Sequence, residues 1–280
     1  MLRPLSPHPA ALFRDGKKQG MVVSDLHLGW ETALSEKGIF VPAQMPKLLR
    51  KLQSLISEFG PSELLILGDV KYSVAAAYMG EWHDVPDFFD GLKDRVNRIC
   101  IVRGNHDGGI EPLLPSNVRV LPSSGVVVGH VGFFHGHRWP ALSLLGCRTL
   151  VMGHVHPVVV FRDIAGFRTT RQVWIKAVVD GRGLARVLLG KHGVKVEGSV
   201  EQTLWRHGRV KPLTAELFIM PSFNEFLGGR PLNERRVVGG RSHGIMGPVL
   251  RSDVVDLGGG EAYLLDGTLL GTLDQLRGLS

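Results

Sequence analysis

Cysteine is scarce in this sequence, and the two that occur, Cys100 and Cys147, form no Cys-x-x-Cys pair and stand beside no plausible metal cluster. That excludes a disulfide-stapled fold and a thiolate metal site, and both residues are expected to be buried thiols in a reducing compartment. Long apolar runs are missing too. No stretch reaches the ~18 uninterrupted apolar residues of a membrane span. The first twenty residues mix prolines with charge and present no apolar run ahead of a small-residue cleavage site. A soluble, cytoplasmic protein is expected, with no membrane partner. Repeats and low-complexity tracts are absent. A hydrophobic content of 44% and a charged content of 21% belong to a folded chain, so disorder is not the default. The 280 residues suffice for a sizeable core, in one large domain or two small ones.

Acidic residues are lacking in one region rather than throughout. Residues 1–160 carry 16 Lys and Arg against 14 Asp and Glu, residues 161–251 carry 16 against 7, and residues 252–280 carry 1 against 5. The net charge of +7 is therefore concentrated late in the chain. Such a segment fits either a phosphate-backbone surface attached to a catalytic core or a solvated positive face. Gly228-Gly229-Arg230 and Arg235-Arg236 lie in its loop-rich part, without the interleaved aromatics of a base-stacking platform.

Apolar periodicity sets out the elements. Residues 20–24 read as a strand, and residues 43–59 as a helix in which Leu48, Leu49, Leu52, Leu55, Ile56 and Phe59 recur at helical spacing before Gly60-Pro61 stops it. A strand over 64–67, a shorter helix around Val85–Leu92 and a strand over 99–102 follow. This βαβ rhythm predicts a largely parallel sheet. Beyond residue 118 closely spaced strands are expected at 126–128, 131–134, 150–152, 158–161, 173–179 and 185–189, building a second sheet against the first. Asp266-Gly267 marks a two-residue hairpin between 262–265 and 268–270. A domain over 1–212 with a C-terminal extension over 213–280 is expected.

Five polar clusters each follow an apolar strand directly: Asp25/His27, Asp69, Asn105/His106/Asp107, His135/His137 and His154/His156. Ligands bind at the carboxyl ends of strands in open α/β sheets, so residues distant in sequence should converge on one rim. Asp-x-His and His-x-His place two ligands on one side of an extended segment, because strand side chains alternate. Carboxylates, neutral imidazoles and one amide oxygen suit a pair of divalent cations. Clusters rich in histidine and without a thiolate favour manganese, iron or zinc over magnesium or calcium. His130 and His83 read as ordinary strand, turn or helix histidines.

This ordered set resembles the calcineurin-like metallophosphoesterase superfamily over about residues 20–180. Ser24-Asp25-Leu26-His27-Leu28-Gly29, Gly68-Asp69-Val70-Lys71, His135-Gly136-His137-Arg138-Trp139-Pro140 and Gly153-His154-Val155-His156-Pro157 are similar, more narrowly, to the ICC-like group that includes the DNA-ligase-associated phosphoesterases. Pro221-Ser222-Phe223-Asn224 and Tyr263-Leu264-Leu265-Asp266-Gly267-Thr268 resemble its archaeal branch. Tyr72 stands where that resemblance has histidine.

The resemblance implies an αββα sandwich of two mixed sheets flanked by helices. It implies one metal on Asp25, His27, Asp69 and His156 and a second on Asp69, Asn105, His135 and His154, with Mn2+ first and Fe2+ or Zn2+ as alternatives. The implied reaction is hydrolysis of a phosphodiester, in nucleic acid (DNA or RNA) or nucleotides, by a metal-bridged hydroxide; a phosphomonoesterase for a small metabolite uses the same metals. His106 is the candidate to protonate the leaving oxygen. Asp107 either orients His106 or caps a turn. Arg103, Lys71 and His137 are candidates to contact substrate, and for Arg103 and Lys71 a solvated or salt-bridged role serves equally.

Overall fold

The computed structural model describes residues 2–74, 77, 79–234 and 246–277. Arg235-Arg236 lies outside the described residues. Two strands beyond those expected form an antiparallel edge: Leu2–Pro4 (β1) pairs with Ala11–Asp15 (β2), and β2 with Lys18–Val23 (β3), the strand expected over 20–24. Trp30–Ser35 (α1) and Met45–Phe59 (α2) lead to Glu63–Ile66 (β4), and Glu81–Asp90 (α3) leads to Arg98–Val102 (β5) and Val118–Leu121 (β6). β3 to β6 run parallel, so the first sheet has the order β1-β2-β3-β4-β5-β6. α2 ends as its sequence requires: Gly60 takes the left-handed conformation at φ 55° and its N–H donates to the Ile56 carbonyl.

The second sheet starts with Val126–Val128 (β7), Val131–Phe134 (β8), Thr149–Met152 (β9), Pro157–Arg162 (β10) and Arg168–Val179 (β11). Gly181–Lys191 (α4) and Val200–Gly208 (α5) precede Glu216–Ile219 (β12) and Arg230–Pro231 (β13). Gly247–Arg251 (α6), Val255–Leu264 (β14), Leu269–Thr272 (β15) and Leu273–Leu276 (α7) complete the described chain. The strand order is β13-β10-β11-β12-β9-β8-β7, with β14 paired to β11 and β15 to β14. β12, from the segment expected as a C-terminal extension, thus lies inside the sheet, parallel to β9 and antiparallel to β11.

Alternation along the strands builds the layers. Met21 and Val23 face α2 and α3 together with Leu64, Ile66, Ile99 and Ile101, whereas Val22, Leu65 and Cys100 face the second sheet. There they meet Val131, Phe133, Val151 and Trp174, and the Phe13 and Phe133 rings pack at 5.1 Å across the gap. The outer face of the second sheet is covered by α4, α5, α6 and α7. This is the expected αββα sandwich of two mixed sheets, and both cysteines are buried and free. No helix among the described residues is long and apolar enough to cross a membrane.

Two local expectations are corrected. Residues 185–189 form part of α4, not a strand: Leu184, Ala185, Leu188 and Leu189 are buried at helical spacing, and the Asp180 carboxylate caps the Arg182 and Gly183 N–H groups. The Asp-Gly hairpin closes over three residues, 265–267, because Leu264 N–H bonds the Thr268 carbonyl and Gly267 turns at φ 92°.

Candidate metal centre

Strands β3, β4, β5, β8 and β9 end at one rim, and each hands the chain to a tight loop carrying candidate ligands. The backbone at these ends is unusual. Asp25, His27, Asp69, His154 and His156 all hold left-handed φ values, between 45° and 70°, and Arg209 is the one further non-glycine residue among those described that does so. Each such residue costs roughly 1–3 kcal/mol, so surrounding bonds must enforce it. Asp25 N–H donates to the Gly68 carbonyl at 3.2 Å, His27 N–H to Asp69 at 2.9 Å and Leu28 N–H to Val70 at 2.8 Å, zipping the first ligand loop to the second. Gly153 N–H bonds the His135 carbonyl at 3.1 Å, and His154 N–H reaches Asp25 Oδ2 at 3.0 Å.

The seven ligand candidates meet. His156 Nε2 lies 3.3 Å from Asp25 Oδ1 and 3.3 Å from His27 Nε2. Asp69 Oδ2 is 3.6 Å from His27 Nε2 and 3.3 Å from His135 Nε2. Asn105 Oδ1 is 3.2 Å from His135 Nε2. Two triads, Asp25–His27–His156 and Asp69–His135–His154, each bring their ligand atoms within 4.8 Å of one another, and Asp69 joins His27 and His106 in a third. Donors about 2.1 Å from one ion stand roughly 3.0–3.4 Å apart; the 3.2–3.3 Å separations of His156 from Asp25 and His27 and of His135 from Asp69 and Asn105 lie in that range, and His27–Asp69 at 3.6 Å is slightly wider. The donor set therefore fits divalent cations.

Tautomers and charge agree with ligation. His135 Nδ1 faces the Leu67 carbonyl at 2.6 Å; a carbonyl only accepts, so Nδ1 carries a hydrogen and Nε2 is the nitrogen that faces Asp69 and Asn105. Burial pushes His27 down to about 3 and His154 down to about 4, leaving neutral nitrogens at pH 7. Burial alone would raise Asp25 and Asp69, but His156 beside Asp25 and His135 beside Asp69 hold both carboxylates below their ordinary range. Burial disfavours a charge on His135 as well; the carboxylates of Asp69 and Asp25 overrule it and push the ring up to about 10. A proton thus competes with cations at that one nitrogen.

His106 places its ring beside His27, with centroids 4.8 Å apart, and its Nε2 lies 4.0 Å from Asp69 Oδ2. Its Nδ1 bonds the Tyr72 carbonyl, and its N–H donates to Asp69 Oδ1 at 2.9 Å. Tyr72 thereby anchors the ring through its backbone, and its own ring sits 6.0 Å from those of His27 and His106.

Asp107 is not oriented toward the His106 ring. Its fully buried carboxylate accepts the N–H groups of Asp69 at 2.8 Å, Val70 at 2.8 Å and Gly104 at 2.7 Å, binding the β4 and β5 loops together. Lys71 is corrected likewise. Its side chain is wholly buried, with Nζ on the Ser73 carbonyl and hydroxyl, because the Glu81 carboxylate organises the 72–73 backbone around it. Arg103 pairs with Glu111 and with the Asp107 carbonyl, which accounts for it without a substrate.

His137 does reach the site: its ring is 5.2 Å from His135 and 6.1 Å from His154, its Nδ1 is buried with no partner, and burial drives it down to about 3. His130 and His83 are exposed. Ser24, whose hydroxyl donates to Asp25 Oδ2 at 2.5 Å, went unassigned although it opens the first motif.

This fold and rim belong to phosphoester-cleaving metalloenzymes. The profile of calcineurin-like phosphoesterase matches residues 21–199, and the chain belongs to that family. The family uses a binuclear metal centre. No curated protein sequence matches this chain. Among solved structures it is similar to the nuclease MPE of Pseudomonas putida, at 19% identity and a TM-score of 0.50, covering 95% of this chain and 98% of that one. Weaker likenesses are to Yfce, a phosphoesterase from E. coli (21% identity, TM-score 0.34, 51% of this chain and 73% of that one), and to AQ665 from Aquifex aeolicus (18%, 0.35, 49% and 78%).

Proposed function

We propose that this protein is a hydrolase of phosphodiester bonds in nucleic acid or nucleotides, working with two divalent cations, manganese first, in a reducing cytoplasm. The observation that carries the reading is the convergence of Asp25, His27, Asp69, Asn105, His135, His154 and His156 on one rim, six of them in two triads, with Asn105 beside His135 and the Asp69 carboxylate reaching both His135 and His27. Asp25, His27, Asp69 and His156 would hold one cation, and Asp69, Asn105, His135 and His154 the other. A bound pair of this kind lowers the pKa of a shared water and draws charge from the phosphoryl oxygens.

The chain's own groups supply the rest. His106 presents Nε2 at the rim while the Tyr72 carbonyl engages Nδ1. A neutral ring held this way offers a lone pair at Nε2, so proton delivery to a leaving oxygen requires the doubly protonated ring. His137 lies deep enough beside His135 and His154 to meet a phosphoryl oxygen, where its unpartnered Nδ1 would gain a bond. The excess of nine positive charges over residues 161–251 supports a polyanionic substrate, and the fold shared with a nuclease supports the same choice.

The test is a panel with added manganese: bis-p-nitrophenyl phosphate, p-nitrophenyl phosphate, DNA and RNA. Diester turnover above monoester turnover is expected. No release from any diester, or turnover of the monoester alone, would overturn the proposal.

A further inference from the structure

Residues 221–233 lie beyond the matched 21–199 and carry no ligand, yet they are bonded to both loops of one triad. At the near end Phe223 N–H donates to the Ser24 carbonyl at 2.7 Å, the Ser222 hydroxyl to the Asp25 carbonyl at 2.8 Å and the Asn224 side-chain amide to the Leu26 carbonyl at 2.9 Å. These are three consecutive carbonyls of the loop in which Asp25 and His27 hold left-handed φ. Ser222, Phe223 and Asn224 are fully buried, so these bonds are made where water cannot replace them.

The far end is built on the other loop. Arg230 N–H donates to the His156 carbonyl at 2.9 Å and Leu232 N–H to Val158 at 3.0 Å. Asn233 then pairs its side-chain amide with the Val160 backbone in both directions, at 2.9 and 2.8 Å, as a further strand would. Gly229 passes so close to the His156 carbonyl and the Val158 side chain that a methyl group there would collide with both. Midway, the Phe226 ring stacks on Trp30, which opens α1 just past His27.

We infer that residues 221–233 form a positioning strap that sets the distance between the Asp25/His27 loop and His156, and so tunes the Asp25–His27–His156 metal position more strongly than the other. None of the bonds named reaches the loops of Asp69 or His135. This inference rests on the binuclear reading of the site.

Mn2+ titration of chelator-treated protein, read by metal counting and electron paramagnetic resonance, tests it. Wild type should take two ions and show an exchange-coupled spectrum. Ser222→Ala and Asn224→Ala should each weaken one ion by about tenfold or more, the size of a buried hydrogen bond, leaving the other within about threefold. The coupled spectrum should give way to that of an isolated ion. Gly229→Ala should weaken the same ion from the opposite end, and serves if Asn224→Ala does not fold. Equal weakening of both ions, or none, would overturn the strap; a wild type binding fewer than two ions would instead overturn the binuclear reading.

Discussion

Replacing Asp107 with asparagine separates a role in holding the loops from a role in chemistry. The carboxylate accepts three buried N–H groups at 2.7 to 2.8 Å, two from the loop after β4 and one from the loop after β5. Hydrogen bonds to a charged group contribute about 1.5–3 kcal/mol each. Asparagine keeps one oxygen and turns an NH2 group toward the remaining donors, so one or two of the three bonds are lost. The expected destabilisation is therefore about 2–5 kcal/mol. At roughly 2–4 °C per kcal/mol for a chain of this size class, a loss of about 3 kcal/mol lowers Tm by some 6–12 °C. Calorimetry on chelator-treated Asp107→Asn and wild type measures this directly. A Tm within about 3 °C of wild type combined with a collapse in turnover would refute the reasoning and return Asp107 to the service of His106.

His106→Asn should lower diester turnover by about 10²–10⁴ while leaving bound metal unchanged; an unaltered rate would remove His106 from the chemistry. Cation binding should strengthen with pH. With His135 pushed up to about 10, a proton must leave its ring for a cation to enter, so about one proton is released per ion at the Asp69–His135–His154 triad near pH 7. His27 and His154, at about 3 and 4, compete only in acid. Calorimetric titration in two buffers of different ionisation enthalpy measures the release, and none at pH 7 would contradict it.

Much of this site is legible in the sequence because its parts obey short-range rules. Short continuous apolar runs mark β3, β4, β5, β8 and β9, and a polar residue soon after each falls at a strand end whatever the rest of the chain does. Asp25, His27, Asp69, Asn105, His135, His154 and His156 converge for that reason. The sequence leaves Asp107 between two roles and does not show that Lys71 is buried, because proximity in sequence does not reveal which group a buried charge meets. Asp107 finds Val70, 37 residues away, and Lys71 turns inward onto Ser73 under the Glu81 carboxylate. The stretch over 185–189 satisfied a strand's composition as well as a helix's, and the Asp180 cap decides between them. The contacts of residues 221–233 span 197 and 198 positions, from Ser222 to Asp25 and from Asn224 to Leu26, and no local pattern encodes such a pairing.

The most direct measurement is diester hydrolysis by chelator-treated protein as Mn2+ is added back in known equivalents. Activity should climb until two ions per chain are present and then level off, and Asp69→Asn should abolish the climb. Full activity at a single equivalent, or undiminished activity in Asp69→Asn, would contradict a centre in which one carboxylate serves two cations.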